Sequence, residues 1–169
     1  AACVAGGPRS VQALIEALRL GPTELKKEAA AMLARIKDPQ AGVALVGLLE
    51  HDEEVVRKAG AVALEQMAGV LDTDTARVLV ALLPTTQERA ARQVLSHLIG
   101  AIPTSVLPLC DMLKHPDQDA QIAAALMLDQ LLDPRSLDAF IDAMGQPAVR
   151  DIAVGTLKKL GAIRERIDE

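Results

Sequence analysis

Apolar residues recur along the chain at intervals of about 31 residues, far longer than the period of one helix. The first apolar column consists of Leu33, Leu64, Leu95, Leu128 and Leu157. A second column follows each leucine by three residues and consists of Ile36, Met67, Leu98, Leu131 and Leu160. Because residues three apart lie on one side of a helix, the two columns predict the buried stripe of a helix that recurs along a repeat protein.

A second apolar helix precedes each of these recurring helices. Its C-terminal end carries, in turn, Leu18, Leu49, Leu83, Leu113 and Met144. The register also aligns small residues in the recurring helix, namely Ala29, Gly60, Ala91, Ala124 and Ala153. Small side chains let helix axes approach closely, so each repeat is predicted to be a packed helix pair with these residues at the contact.

Proline, glycine and aspartate lie between the predicted helices. Asp38-Pro39 and Asp133-Pro134 suit helix starts, because proline is tolerated in the first turn and aspartate caps free N–H groups. The predicted helices are 9–20, 23–36, 40–50, 53–69, 74–83, 86–100, 103–114, 117–132, 135–144 and 147–161. They form the pairs 9–36, 40–69, 74–100, 103–132 and 135–161. No strand is predicted, so the fold class is all-α.

Both ends of the chain extend the register. Residues 1–6 are predicted to be the tail of a preceding helix, and residues 162–169 a polar tail. The chain 1–169 is therefore expected to be a single repeat domain, a fragment of a longer array. Because the helix that should cover residues 9–20 is then almost entirely missing, we expect an exposed apolar face on the N-terminal repeat, through which the protein self-associates.

Composition and charge limit the possible partners. The net charge of −5 and the pI near 5.2 disfavour nucleic acid, which requires a basic footprint. No apolar run approaches the roughly 18 residues needed to cross a membrane. The widely separated Cys3 and Cys110 fit a reducing compartment, and we expect a cytoplasmic protein. Ala1-Ala2-Cys3 also matches the end of a bacterial lipoprotein signal, so anchoring at Cys3 is an alternative.

Two segments carry a family resemblance. Residues 8–18 (PRSVQALIEAL) and 56–64 (VRKAGAVAL) resemble the two helices of HEAT repeats, closest to the short, alanine-rich repeats of phycobilisome lyases. The resemblance implies a right-handed α-solenoid of about five antiparallel helix pairs, whose second helices line the concave face. Because such repeats serve scaffolds, adaptors, lyases and nucleic-acid enzymes alike, it leaves the function open.

Residues that could support catalysis are sparse. His51, His97 and His115 lie in different repeats and cannot gather a metal, so no metal site, cofactor or catalytic residue is predicted. The chain lacks the His-Glu dipeptides of iron-binding HEAT-like hydroxylases, and it has no Trp or Tyr, whereas DNA-glycosylase relatives are expected to offer aromatic side chains. Cys110 adjoins an apolar stripe and is read as a core residue, with a bilin-lyase nucleophile as the alternative.

Basic residues form a ridge along the second helices. The candidate partner-binding residues are Lys26, Lys27, Arg57, Lys58, Arg89, Arg92 and Arg150. We expect stacked repeats to bring them into one stripe that binds another protein through an acidic segment. The alternative is an ordinary solvated face, because acidic residues are interspersed. The predicted function is a non-enzymatic protein-interaction scaffold or adaptor; the alternatives are a lyase-type enzyme or subunit and a nucleic-acid-binding protein.

Overall fold

The computed structural model describes residues 7–86 and 89–167, apart from the side chains of Pro8, Arg89, Ala90 and 162–167. These residues form ten α-helices and no strand, which confirms the all-α prediction. The helices are α1 (Pro8–Leu20), α2 (Thr23–Ile36), α3 (Gly42–Val46), α4 (Glu54–Met67), α5 (Thr73–Ala81), α6 (Arg89–Ala101), α7 (Val106–Met112), α8 (Gln118–Leu131), α9 (Leu137–Ala143) and α10 (Arg150–Ile167).

The chain divides into two compact units, Ala1–Val78 (unit 1) and Leu79–Glu169 (unit 2). In unit 1, α1 packs on α2, α3 packs on α4, and α2 lies against α4. In unit 2, α7 packs on α8, α9 packs on α10, and α8 lies against both α6 and α10. Within each unit, second helices of successive pairs therefore lie side by side, as in an α-solenoid.

In several helix pairs, a short 3-10 turn begins the first helix. Pro39–Ala41, Pro103–Ser105 and Pro134–Ser136 each start with a proline, whose fixed φ suits a helix start. The carboxylates of Asp38 and Asp133 each accept a backbone N–H two residues later, both at 2.9 Å. These bonds confirm the capping role predicted for the two Asp-Pro pairs.

The first helix of the second helix pair is less regular than predicted. Residues 40–50 were expected to form one helix, but the α-helical part is only Gly42–Val46, with 3-10 turns at Pro39–Ala41 and Gly47–Glu50. A Cβ atom on Gly42 would overlap the side chain of Thr75 in the first turn of α5. Gly42 is thus required for a close approach, although glycine weakens a helix.

The predicted columns form the core. Leu33, Leu64, Leu95 and Leu128 are buried, and Leu157 is half-buried. In the column of small residues, Gly60 packs so closely that an added Cβ would lie 2.7 Å from the Cβ of Leu48. The other small residues of that column are buried except Ala91, which is half-buried. The register read from the sequence is therefore the register of the fold.

Helix lengths also bear on a membrane location. Among the described residues, no single helix is long and apolar enough to cross a bilayer. One bent pair, Ala91–Ala101 followed by Pro103–Met112 at 97°, reaches the required length and composition.

Candidate interaction face

Unit 1 brings four of the predicted basic residues onto two neighbouring helices. Lys26 and Lys27 lie in the first turns of α2, and Arg57 and Lys58 lie at the corresponding place in α4. We define the α2–α4 face as the outward side chains of this pair of helices, namely Glu24, Lys27, Val55, Lys58 and Val62. The two lysines of this face are paired locally: Lys27 with Glu24 at 3.0 Å, and Lys58 with Glu54 at 2.6 Å.

Arg57 has a structural role that the sequence reading missed. Its guanidinium donates hydrogen bonds of 2.7 Å to the backbone carbonyls of His51 and Asp52, in the turn that precedes α4. Carbonyl groups at such a turn lack helical partners, and a cationic donor satisfies them more strongly than a neutral one. Arg57 therefore stabilises the turn. Both acceptors are neutral carbonyls, so these two bonds do not neutralise its positive charge.

The same bond recurs in unit 2, always from a side chain near the start of a second helix to a carbonyl six residues earlier. The pairs are Arg92 to Thr86 at 2.8 Å, Gln121 to His115 at 2.6 Å, and Arg150 to Met144 at 3.0 Å. The side chain of Arg89, which was also predicted to bind a partner, lies outside the described residues. Part of the predicted ridge thus consists of turn-stabilising groups, and one glutamine performs this task without a charge.

Two histidines occupy equivalent turns before α4 and α8. The Nδ1 atom of His51 accepts the backbone N–H of Glu53, and that of His115 accepts the backbone N–H of Asp117, both at 3.1 Å. On the other side of its ring, Nε2 of His51 lies 3.0 Å from Nζ of Lys26. The histidines therefore shape the turns, and the first of them faces a lysine.

Two valines, which the sequence reading did not single out, are the most exposed apolar residues of the α2–α4 face. Val55 and Val62 lie two turns apart on the outward side of α4, and they are 50% and 51% exposed. Residues seven apart share one side of a helix. The valines therefore form a short apolar stripe, with Lys58 between them in the sequence and Glu65 beyond.

A second apolar surface lies on the side of α2 away from α4. Leu25 is 42% exposed and Met32 is 36% exposed. The residues in the same register of α4, Val56 and Ala63, are 0% and 2% exposed. The N-terminal repeat thus shows to solvent the side that is buried in the next repeat.

Catalytic chemistry finds little support in the described residues. Burial first, and then the neighbouring Asp111, raise the pKa of the Cys110 thiol to about 11. A thiol with that pKa carries very little of the reactive thiolate at neutral pH. No group of three or more His, Cys, Asp or Glu residues in the described part of the chain could hold a metal ion. Cys3 lies outside the described residues.

Paired helices whose second members lie side by side define an α-solenoid repeat protein. The sequence matches the family of HEAT repeats over residues 11–99, more than half of its length, and the chain belongs to this family. Among solved structures, it is similar to the crystal structure of an engineered protein from the Northeast Structural Genomics Consortium. That similarity has 23% sequence identity and a TM-score of 0.47, and it covers 90% of this chain and 79% of that chain. No curated protein matches the sequence.

HEAT repeats are generally protein-interaction scaffolds. Stacked helix pairs create extended surfaces that such proteins use for binding. The family by itself leaves the function and the partner of this chain open.

Proposed function

We propose that this protein is a non-enzymatic interaction module that binds another protein on its α2–α4 face. The observation that supports this proposal most directly is the exposed pair Val55 and Val62 on the outward side of α4. Exposed apolar side chains held on a rigid helix are typical anchors of a protein interface.

The chemistry around the valines indicates the kind of partner. Two valines seven residues apart are separated by about 10 Å along a helix. Lys27 and Lys58 flank this stripe, and their surface ion pairs with Glu24 and Glu54 contribute only about 0–1 kcal/mol each. An incoming carboxylate can therefore exchange with the local one. The face suits an amphipathic segment with apolar anchors and acidic flanks.

A protein fits this face better than a nucleic acid does. Glu24, Glu54 and Glu65 are exposed among the lysines, and the chain carries a net charge of −5. Phosphate binding depends on neutralising many charges at once, which such a mixed face does not provide.

The remaining parts of the proposal concern the other predicted residues and the location. Arg89, Arg92 and Arg150 belong to unit 2, and we retain them as a prediction for a second contact on that unit. The proposal also includes self-association through Leu25 and Met32, and a cytoplasmic location, with which the free thiol of Cys110 is compatible.

The test compares variants in affinity capture from the source cells, followed by quantification of each retained protein. Val62→Glu should lose proteins that the wild type retains. Ile141→Glu, at a 46% exposed position of α9, is the matched control and should retain them. Unchanged capture by Val62→Glu would exclude the α2–α4 face, and a steep salt dependence of binding to DNA would favour a nucleic-acid partner instead.

A further inference from the structure

The contact between Lys26 and His51 in unit 1 brings together two hydrogen-bond donors. Nδ1 of His51 accepts the backbone N–H of Glu53, so in the neutral ring the proton lies on Nε2. In the protonated ring Nε2 carries a hydrogen as well. The lysine ammonium can only donate hydrogen bonds, yet its Nζ lies 3.0 Å from this Nε2.

The ring orientation on which this assignment rests is found twice. His115 places its Nδ1 against the backbone N–H of Asp117 at the same distance of 3.1 Å, in the equivalent turn of another repeat. Rotating either ring by 180° would put a carbon atom in place of its Nδ1 and remove its bond to the backbone N–H. The orientation therefore follows from the turn itself, and Nε2 of His51 is left to face the lysine.

The geometry points to a carboxylate-binding pair, in which the ammonium of Lys26 and the Nε2–H of His51 together bind an acidic side chain of the partner protein. A carboxylate offers one acceptor oxygen to each of these two donors. The flexible stem of Lys26 can turn slightly to admit it. This inference rests on the proposed function, because it specifies how one acidic residue of the partner is recognised at the edge of the α2–α4 face.

Charges of both signs surround this position, because the turn also carries Asp52, Glu53 and Glu54. Arg57 donates a hydrogen bond to the carbonyl of His51 and adds a positive charge to the turn. The carboxylate of Glu53, in the same turn, accepts the hydroxyl of Thr23. Lys26 and His51 are both half-buried, so their attraction for a carboxylate is screened less than that of a fully exposed pair. A metal ion does not fit beside the ammonium.

The experiment follows the imidazole nitrogens of the ¹⁵N-labelled chain by NMR during titration with hexaglutamate at low salt. Hexaglutamine is the uncharged control peptide. We expect a saturable shift of the His51 Nε2 signal and a much smaller one for His115, because the residue that aligns with Lys26 in the repeat before His115 is Glu88 rather than a lysine. The absence of a His51 shift, or equal shifts of both histidines, would overturn the inference.

Two lysine variants complete the test. Lys26→Met should lower the affinity for hexaglutamate, measured from the His51 signal, at least about fivefold. This is the order expected for losing one charge-assisted hydrogen bond. Lys114→Met, which removes a lysine of unit 2 that pairs with Asp142, should leave it within about twofold. Equal affinities of Lys26→Met and the wild type would also refute the pair. Since hexaglutamate needs no natural partner, this refutation would leave the Val62→Glu capture result, and with it the proposed function, standing on its own.

Discussion

At the scale of single residues, Arg57 shows how one side chain can combine stability and binding. Its hydrogen bonds to two turn carbonyls mean that a charge reversal would disturb the turn as well as any partner contact. Gln121 makes the equivalent bond with an uncharged amide. The chain therefore contains its own example of a substitution that separates the two roles.

We predict that Arg57→Leu lowers the free energy of unfolding by about 1–2 kcal/mol, because two carbonyls of the turn lose a cationic donor. Arg57→Gln should lose less than about half of that, since its amide can donate as that of Gln121 does. Urea unfolding measures both values. Equal losses in the two variants would mean that the bond seen for Gln121 cannot be transferred to this turn.

Lys37 provides a second residue-scale prediction. It ends α2 with φ of 58°, in the left-handed region that favours glycine. Lys37→Gly should raise the free energy of unfolding by about 0.5–1 kcal/mol, because glycine adopts this conformation without the Cβ penalty. Lys58→Gly, inside α4, is the control and should lower it by about 1 kcal/mol. A loss of stability in Lys37→Gly would contradict the assigned backbone conformation.

The residue positions were predictable to different degrees. The column from Leu33 to Leu128 could be predicted because burial on a helix follows its local period. The exposed valines could have been found from the same register, since Val55 and Val62 stand where α2 has Glu24 and Ala31. The bond from Arg57 to the turn could not, because it depends on how the chain enters α4.

At the scale of helices, contacts between repeats explain where the sequence reading failed. At the start of the short α3, Gly42 packs closely on Thr75, a residue 33 positions away, and no local pattern reveals this contact. The α10 helix continues to Ile167, beyond the predicted end at residue 161. Charged residues in its last turns look like a tail in the sequence, but they are also good helix formers.

A polar contact between α8 and α10 leads to a prediction about pH. Asp129 accepts hydrogen bonds from Lys159 at 2.7 Å and from Thr156, and the bond from Lys159 is the main cause that lowers the pKa of its carboxyl below the ordinary value of 3.8. A pKa lowered by folding stabilises the folded state above the unfolded pKa, and this contribution is lost as the pH falls through the folded pKa.

Asp129→Asn should therefore destabilise the protein at neutral pH and progressively less as the pH falls from about 5 to about 2.5. Urea unfolding over this pH range measures the difference between variant and wild type. Asp138→Asn, an exposed residue of α9, is the control and should show a smaller change with pH. A difference that stays constant with pH would show that the ionised carboxylate contributes nothing to the contact.

At the scale of the whole molecule, the repeat register tells which surfaces another copy could cover. Val56 and Ala63 are buried in α4, which packs on α2, whereas Leu25 and Met32 occupy the same columns of α2 and are exposed. A surface of this shape is complementary to a helix of the same kind. A second copy of the chain supplies such helices, which is why we propose it as the occupant.

The wild type should therefore show a sedimentation coefficient that rises with concentration. Replacing both Leu25 and Met32 by glutamate should weaken self-association at least about tenfold, because each variant side chain removes apolar contact and would place a charge in the interface. Leu107→Glu, at a position that is 55% exposed, is the matched control and should associate like the wild type. Circular dichroism checks that all three remain helical. A wild type that stays monomeric at about 100 μM, or a double variant that associates equally well, would contradict the proposed contact.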